Sequence, residues 1–361
     1  MRILHFNLEH EFRGGQRQTL LLHQGLLQRD YDSRLLVDAG GLLHAKCVHE
    51  QVPGVIPIQV SQWGPPWLKR LMTSKRVKQI VVETNPKVLH FHEPGSLYYA
   101  EFFKNRHTIQ TRRVSMSIKD ISIRHKYKPV DVHVGVSAHV SRHLSDKGLK
   151  PVHTVHSSID LNRFDHVDAV TLKDKRAFNL LYLGAFSQMK GIDVLLNAFA
   201  ALLKNHKNVA LHMVGAGEKL QDYKRRCQQL KIIDDVRFYG RVTEPERYYP
   251  EADAVIVPSR RGEGSNGVIK EALASSKVVI ASDFEPNLEL MTAGTSGVFF
   301  KNENSADLER KLQQLLSGHI ELNTEAIRQE AMRFSDDVMV NAYRRIYALE
   351  FGESLAQKVR A

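Results

Sequence analysis

The feature that most constrains this fold is an alternation, repeated twice along the chain, of short β-branched runs with longer segments of helical period. The alternation is typical of parallel sheets, in which a helix carries the chain back to the start of the next strand. In the first half it predicts strands at residues 3–8, 34–37, 88–91, 107–110, 132–136 and 152–155. In the second half it predicts strands at residues 180–183, 209–214, 236–239, 254–257 and 278–281. We therefore predict an α/β protein with two Rossmann-like domains.

A charged stretch, residues 165–175, separates the two series and indicates a linker. The chain of 361 residues is long enough for two domains of about 150 residues each. We predict an N-terminal domain over residues 1–165 and a C-terminal domain over residues 176–340. Residues 341–361 are expected to form a helix that crosses back to the N-terminal domain. Paired domains of this kind face each other across a cleft, where ligands bind at the carboxyl ends of the strands.

The charge balance indicates which partners are favoured. A formal net charge of +11 and a pI near 9.5 favour nucleotides, phosphorylated glycolipids, membrane surfaces or nucleic acid. Cys47 and Cys227 stand alone in the sequence, so neither a disulfide framework nor a zinc motif is indicated. Charged residues interrupt the apolar run at the amino terminus, and no later stretch reaches the roughly 18 apolar residues of a membrane span. A cytoplasmic location is expected.

The most informative segment is VIVPSRRGEGSNGVIKEAL, residues 255–273, in which a strand is followed by a glycine-rich turn and then a helix. Free backbone N–H groups and the positive dipole end at the start of that helix suit a diphosphate. Glu271, inside the helix, is placed to accept hydrogen bonds from ribose hydroxyls, and Glu263, before it, to face a sugar. An ordinary N-cap at Ser265 or Asn266, with two solvated glutamates, explains the same residues equally well.

The segment resembles the glutamate–seven residues–glutamate signature of the retaining nucleotide-sugar glycosyltransferases called glycosyl transferase group 1. Further landmarks resemble that family in the same order and at compatible spacings. They are Gly14–Gly15 after the first strand and residues 153–164, 180–200, 213–218, 236–240 and 252–259. The resemblance spans nearly the whole chain and implies a GT-B fold with the donor site in the C-terminal domain.

The resemblance also assigns roles to individual residues. Lys190 and the N–H groups of Gly264, Ser265 and Asn266 would bind the donor diphosphate. Gly215 and Arg261 would complete the donor site, and Gly14 and Gly15 would close over the phosphates from the N-terminal domain. The resembled family needs no metal, because a helix dipole and basic side chains replace the cation. We therefore expect no cofactor and no metal, only a nucleotide-diphospho-sugar as co-substrate.

The sequence departs from the family pattern at two informative positions. Ala185 stands where the family has an arginine that binds phosphate, and Arg260 or Arg261 is able to replace it, although both also suit a solvated loop. Arg113 stands where many relatives have a histidine near the donor sugar. Arginine cannot act as a base but can hold a sugar hydroxyl or an acceptor phosphate, so we assign Arg113 to catalysis with Glu263 and Lys190 and expect an anionic acceptor.

Two groups of residues are assigned to the acceptor side and the membrane. His92, Glu93 and Arg112 are placed on the acceptor side, with satisfied surface residues as the alternative. His90 and His92 are expected to point to opposite faces of a strand, which argues against a shared metal ion. Residues 63–78 combine both tryptophans with a basic helix that either contacts an anionic membrane or packs inward, and 119–128 is a second basic run.

Together these features predict a retaining glycosyltransferase that moves a sugar from a nucleotide-diphospho-sugar to an anionic glycan or glycolipid. We expect it to act at the inner face of a bacterial inner membrane, in the synthesis of lipopolysaccharide core or a related envelope polysaccharide. A sugar-nucleotide epimerase of the same architecture remains an alternative. A nucleic-acid-binding module is the weakest hypothesis, because it rests on charge alone.

Overall fold

The computed structural model of the chain describes residues 1–60 and 65–351. It divides into two compact units. The first unit comprises Met1–Ser158 together with Asp336–Ala361, and the second comprises Ile159–Ser335. Each unit is built on its own parallel sheet, so the predicted α/β class with two Rossmann-like units is confirmed.

The first unit contains a seven-stranded parallel sheet in the order β3-β2-β1-β4-β5-β6-β7 among the described residues. The strands are β1 (Arg2–Asn7), β2 (Asp32–Asp38), β3 (Val55–Ile58), β4 (Val88–Phe91), β5 (His107–Arg112), β6 (Val132–Gly135) and β7 (Val152–Thr154). The helices are α1 (Gly14–Leu27), α2 (Leu42–His49), α3 (Pro66–Thr84), α4 (Asp120–Ser122) and α5 (Ala138–Asp146). Because helices cover both faces of such a sheet, its central strands are buried on both sides.

The second unit contains a six-stranded parallel sheet in the order β10-β9-β8-β11-β12-β13 among the described residues. The strands are β8 (Phe178–Leu183), β9 (Val209–Val214), β10 (Val236–Gly240), β11 (Ala254–Val257), β12 (Val278–Ser282) and β13 (Gly297–Phe300). The helices are α6 (Ile192–Leu202), α7 (Leu220–Gln229), α8 (Gly267–Ala274), α9 (Glu285–Leu288), α10 (Ser305–Leu316) and α11 (Thr324–Ala331). Successive residues of β8 enter two different cores: Leu180 and Tyr182 pack on one face, Leu181 and Leu183 on the other.

The last helix, α12 (Asp336–Phe351), belongs to the first unit. Met339, Val340, Tyr343 and Tyr347 are buried with Leu22 and other residues of α1 and the first sheet. Val340 lies so close to Gly25 that a Cβ there would be 2.5 Å from its Cγ2. The prediction that a C-terminal helix crosses back to the N-terminal domain is confirmed.

The boundaries lie earlier than the sequence predicts: the second unit spans Ile159–Ser335 rather than residues 176–340. The first unit ends at Ser158 rather than at 165, because Leu161 and Phe164 pack with the core of the second unit. The charged stretch 165–175 is also part of the second unit: Leu172 is buried, and the amide of Lys173 donates to the hydroxyl of Tyr239 at 2.9 Å.

The structure bears on the predicted membrane contact only in part. No helix in residues 1–60 or 65–351 combines the length and the apolar character that crossing a bilayer requires. Residues 61–64, including Trp63, lie outside the described residues, as do the side chains of Trp67, Lys69 and Arg70.

Candidate functional site

The sequence landmarks of the second unit converge at one point of its sheet. Strands β8 and β11 are neighbours, with β9 beyond β8 on one side and β12 beyond β11 on the other. The strand order therefore reverses between β8 and β11, and crevices at such points bind ligands in open α/β sheets. Lys190 follows β8, and Glu263 follows β11.

Lys190 and Glu263, both assigned to catalysis from the sequence, form an ion pair. The ammonium of Lys190 donates to Oε1 of Glu263, and the hydroxyl of Ser259 donates to the same oxygen at 3.4 Å. The two side chains are only 23% and 19% exposed, so their attraction is screened less than that of a surface pair. An anion that binds here can draw on the lysine charge when the pair opens.

Two loops are packed together to hold this pair. A Cβ at Gly191 would lie 2.0 Å from the carbonyl oxygen of Pro258, and the φ of Gly191 is 65°. Only glycine accepts both the contact and the left-handed backbone without strain. The amide of Arg260 also donates to the carbonyl of Met189 at 2.9 Å. The loop after β8 is thereby fixed against the loop after β11.

The glycine-rich turn leads directly into α8, as predicted. Asn266 is the N-cap, and its Oδ1 accepts from the amide of Val268 at 3.2 Å. The hydroxyl of Ser265 accepts from the ammonium of Lys270 at 2.7 Å, and Gly264 is buried. The cap leaves the rest of the first turn with backbone N–H groups that have no partner inside the helix. An anion site at this end of α8 fits the geometry.

Glu271 is held by a tyrosine that the sequence analysis missed. The hydroxyl of Tyr249 donates to Oε2 of Glu271 at 2.8 Å, while Oε1 lies 3.9 Å from where a Cβ of Gly267 would stand. Burial, followed by the charge of Glu271, raises the pKa of Tyr249 well above its usual value, so the phenol remains a donor. Tyr249 thus turns one carboxylate oxygen inward and the other toward the start of α8.

The remaining donor-site predictions fall in different environments. Gly215 packs against the backbone, where a Cβ would lie 1.9 Å from the carbonyl oxygen of Gly184. Ala185 is exposed. The guanidinium of Arg260 pairs with Asp193 and lies 3.8 Å from Glu303, so it is engaged within the loops. Arg261 is exposed and pairs with no carboxylate of the described chain, which leaves it the better replacement for the missing family arginine.

In the first unit the strand order reverses between β1 and β4. Gly14 and Gly15 open α1 after β1, and Arg113 follows β5. A Cβ at Gly15 would lie 3.4 Å from Cδ of Arg113, so the side chain of Arg113 runs across the start of α1. Gly14 is exposed with no atom within 4 Å of a Cβ position. The structure thus brings Arg113 and Gly15 together.

The expectation that His90 and His92 point to opposite faces is wrong. Residues two positions apart on a strand share a face, and here the two rings lie 3.9 Å apart between centroids. His5 on β1 pairs in register with His90 and joins them, so that one ring nitrogen of each histidine lies within 4.8 Å of the others. By distance, these three side chains are able to surround a metal ion. Burial lowers the pKa of all three far below the usual value.

Two acceptor-side predictions find structural roles instead. Arg112 is 6% exposed, and its guanidinium donates to the hydroxyl of Tyr127 at 2.8 Å and to the carbonyl of Met116. The carboxylate of Glu93 accepts from the amide of Ser96 through both oxygens, at 2.9 and 2.8 Å. Burial raises the pKa of Glu93, while the Ser96 bonds oppose the shift. An acceptor contact for Arg112 and Glu93 is not supported by this geometry, because their polar groups already hold the loops after β4 and β5.

Comparison with known proteins finds similarity in the second unit to one protein family. Residues 164–332 match the model of the family described as "Glycosyl transferases group 1". A relative from Mycolicibacterium smegmatis, a phosphatidyl-myo-inositol mannosyltransferase, is 23% identical over 371 residues, covering 96% of this chain and 93% of its own.

Solved structures agree on the architecture. The Anabaena protein Alr3699/HepE, solved with UDP, superposes with a TM-score of 0.80 at 17% identity, covering 96% of this chain and 100% of its own. The lipopolysaccharide outer core galactosyltransferase WaaB superposes with a TM-score of 0.75 at 16% identity, covering 97% and 100%. At these identities the structures show the fold, which is GT-B. The structural likeness therefore shows a GT-B fold for the chain, and residues 164–332 of its second unit match the glycosyl transferases group 1 model.

Proposed function

We propose that this protein transfers a sugar, with retention of configuration, from a nucleotide-diphospho-sugar to an anionic glycan or glycolipid acceptor. The observation that carries the donor assignment is the cluster at the β8–β11 reversal: Lys190 paired with Glu263, beside the start of α8 and the oriented Glu271. A cation and a helix N-terminus suit a diphosphate, and a carboxylate within reach suits ribose hydroxyls.

The donor binds with each residue in a defined role. The diphosphate takes the ammonium of Lys190 and the N–H groups at the start of α8, and Glu271 accepts from the ribose. Glu263, released from Lys190, then faces the sugar. No metal is required, because Lys190 and the start of α8 supply the positive charge.

Chemistry at the anomeric carbon follows from these contacts. The acceptor hydroxyl attacks from the face that the leaving diphosphate occupies, and a diphosphate oxygen takes the proton of that hydroxyl. The bond from the anomeric carbon to the diphosphate oxygen breaks as the new glycosidic bond forms. Lys190 and the α8 dipole stabilise the charge that develops on the departing diphosphate, while the bound geometry supplies orientation.

A lipid-linked acceptor fits the surface of the first unit. Leu71 and Met72 of α3 are 57% and 62% exposed, and Lys75 is exposed one turn further on. Ile121 is 68% exposed, ahead of the exposed Lys128. Apolar side chains beside cations suit an anionic membrane surface. With a mannosyltransferase of phosphatidylinositol and WaaB among the similar proteins, we place the reaction at the cytoplasmic face of a bacterial inner membrane, in lipopolysaccharide core or related glycolipid synthesis.

The donor site is tested by thermal shift with nucleoside diphosphates and nucleotide sugars in a metal-free buffer. One nucleotide family should stabilise the wild type, by about 2.7 kcal/mol at a concentration of 100 Kd. Glu271→Gln should abolish that stabilisation. Glu251→Gln is the matched control, because Glu251 also pairs with a lysine, Lys175 at 2.7 Å, but precedes β11 at the other end of the strand.

Three outcomes would count against the proposal. No stabilisation by any nucleotide, or equal stabilisation of both variants, would remove the donor site. Conversion of the sugar nucleotide to its epimer without an acceptor would favour epimerase chemistry. Once a productive pair is found, NMR of the anomeric proton of the product must show the configuration of the donor, since inversion would remove the retaining mechanism.

A further inference from the structure

Arg113 is a cation that no carboxylate neutralises within residues 1–60 and 65–351. Its Nε is sealed from solvent and has no hydrogen-bond partner there, and Nη2 lies 3.2 Å from Nδ1 of His92. Burial lowers the pKa of the guanidinium, and the nearby phenol of Tyr343 only partly offsets that effect. Arg113 is half-buried, and a charge partly removed from water is costly unless it is paired, so this position favours an anion.

The contact with Arg113 determines which ring nitrogens of His92 and His5 carry protons. Arginine only donates, so Nδ1 of His92 must accept and carries no proton. A neutral His92 then has its proton on Nε2, which donates to Nδ1 of His5 at 2.9 Å. His5 in turn carries its proton on Nε2, which has no partner in the described chain. One tautomer of each ring follows from the presence of Arg113.

The ring of His90, which lies against that of His92, is fixed by three hydroxyl groups. Nδ1 of His90 bonds the hydroxyl of Tyr347 at 2.8 Å, and Nε2 bonds the hydroxyl of Thr111 at 2.8 Å. The hydroxyl of Thr111 also bonds that of Tyr343 at 2.9 Å. Because the ring of His90 lies against that of His92, the tyrosines of α12 help to fix the position of His92, which contacts Arg113.

These contacts favour an anion over a metal ion. Both nitrogens of His90 already bond hydroxyls, and both nitrogens of His92 are used by Arg113 and His5. A cation among the three rings would also lie beside a guanidinium, which is unfavourable in a medium of low polarity. Cδ and Nε of Arg113 lie 3.4 and 4.0 Å from the Cβ position of Gly15, at the positive end of α1, a helix of 14 residues.

We infer that Arg113 binds a phosphoryl oxygen of a substrate, and that His92 and His5 are positioning residues that hold its guanidinium for this contact. The inference rests on the proposed function, in which the donor carries a diphosphate and the acceptor is anionic. A sugar hydroxyl, the other ligand expected for Arg113, would leave its charge uncompensated.

The test measures binding of inorganic pyrophosphate to the full chain by calorimetry. All pyrophosphate measurements are made in a Lys190→Gln variant, so that the ammonium of Lys190 cannot bind pyrophosphate. Adding Arg113→Gln should weaken the remaining binding about 10- to 100-fold, the effect of a lost hydrogen bond between charged groups. Unchanged affinity, or binding to neither form, would overturn the inference. Arg113→Lys keeps the positive charge but loses the two parallel N–H donors of the guanidinium, so its pyrophosphate affinity should lie between those of Arg113 and Arg113→Gln.

Two variants of His92 separate positioning from mere folding. The amide of Asn lies where Nδ1 of His lies, whereas the amide of Gln reaches the place of Nε2. His92→Asn therefore keeps an acceptor for Arg113, and His92→Gln keeps only the bond to His5. We expect wild-type-like pyrophosphate affinity for Asn and about tenfold weaker affinity for Gln, at equal thermal stability. Equal affinities would remove the positioning role.

Nucleoside diphosphate binding identifies the source of the phosphate. With Lys190 intact, weaker binding in Arg113→Gln assigns the contact to the donor, and unchanged binding assigns it to the acceptor. Nucleotide binding that is insensitive to both Lys190→Gln and Glu271→Gln would end the proposed donor site. The Arg113-dependent binding of pyrophosphate would survive that result, so the two failures are distinguishable.

Discussion

The two units share a sheet plan but distribute charge differently around it. In the second, Lys190 and Glu263 neutralise each other in loops beyond the strands. In the first, Arg113 stands without a carboxylate in the described chain, against neutral histidines that reach down into the sheet itself. The second unit thus places this charge pair in loops above its core, whereas the first builds three neighbouring histidines into its sheet. We therefore expect activity to depend most on the charge pair of the second unit, and stability to depend most on the protonation of histidines in the first.

The largest effect should come from breaking the neutral pair of the second unit. Lys190→Gln removes the cation that stabilises the departing diphosphate, so kcat should fall about 10²- to 10³-fold, as for other groups that stabilise charge in a transition state. Steady-state kinetics with the donor found by thermal shift measures this. Glu251→Gln, in an ion pair at the opposite end of β11, should leave kcat near the wild-type value. A similar loss in both variants would mean that the charge pair of the second unit has no special role.

Acid should destabilise the first unit before the second. Burial lowers the pKa of His23 and His133 in the first unit to about 4, and that of His212 in the second to about 4; His5, His90 and His92 are shifted in the same direction. Below pH 6.5 the unfolded chain binds protons that the folded chain does not, so the free energy of unfolding falls as pH falls from 6.5 toward 4. For each histidine whose pKa is lowered to about 4, the free energy of unfolding falls by up to about 3 kcal/mol between pH 6.5 and pH 4.

Hydrogen exchange resolved by segment, compared at pH 7 and pH 5, tests this contrast. Protection should fall more in β1, β4 and β6 than in β8, β9 and β11 after correction for the intrinsic exchange rate. His212→Gln should flatten the weaker pH response of the second unit and leave the first unchanged. Earlier loss of protection in the second unit would invert the comparison.

The sequence predicted the central strands of both units and the edge strands β7 and β10, and missed the edge strands β3 and β13. β3 is a run of four residues that contains Pro57, and β13 follows a glycine-containing turn. Edge strands are short and paired on one side, so the hydrophobic pattern that reveals a strand is weak there. Central strands are buried on both faces and read as apolar runs.

The same contrast holds for the sites. Lys190, Glu263 and Asn266, which the structure brings together, were predicted because they lie close to glycines in continuous motifs. Tyr249 and Tyr343 were missed because each meets its partner only after folding, Tyr343 across 232 residues from Thr111. Histidines inside predicted strands were a usable signal: His5 and His90 stand where an apolar residue is expected, and a buried polar side chain requires partners.

A smaller effect should show how the first unit is closed by α12. Gly25→Ala places a Cβ 2.5 Å from Cγ2 of the buried Val340, and overpacking of this kind costs about 1–3 kcal/mol. Gly14→Ala, in the same helix with no atom within 4 Å, should not destabilise. Urea unfolding measures both. Adding Val340→Ala should relieve Gly25→Ala, and equal stability of the two glycine variants would show that α12 does not press on α1.

The smallest effect concerns the tyrosine that orients Glu271. Tyr249→Phe removes one hydrogen bond to that carboxylate, about 1 kcal/mol, so the Kd of a nucleoside diphosphate should rise about fivefold. Because the bond acts through the ribose contact, the Kd of the 2′,3′-dideoxy nucleotide should not change. Tyr223→Phe, which loses a 3.2 Å bond to the carbonyl of Ser187, is the control. Equal weakening of both nucleotides would mean that Tyr249 supports the fold of the second unit rather than its contact with ribose, and the second unit would then resemble the first in building its site on buried polar groups.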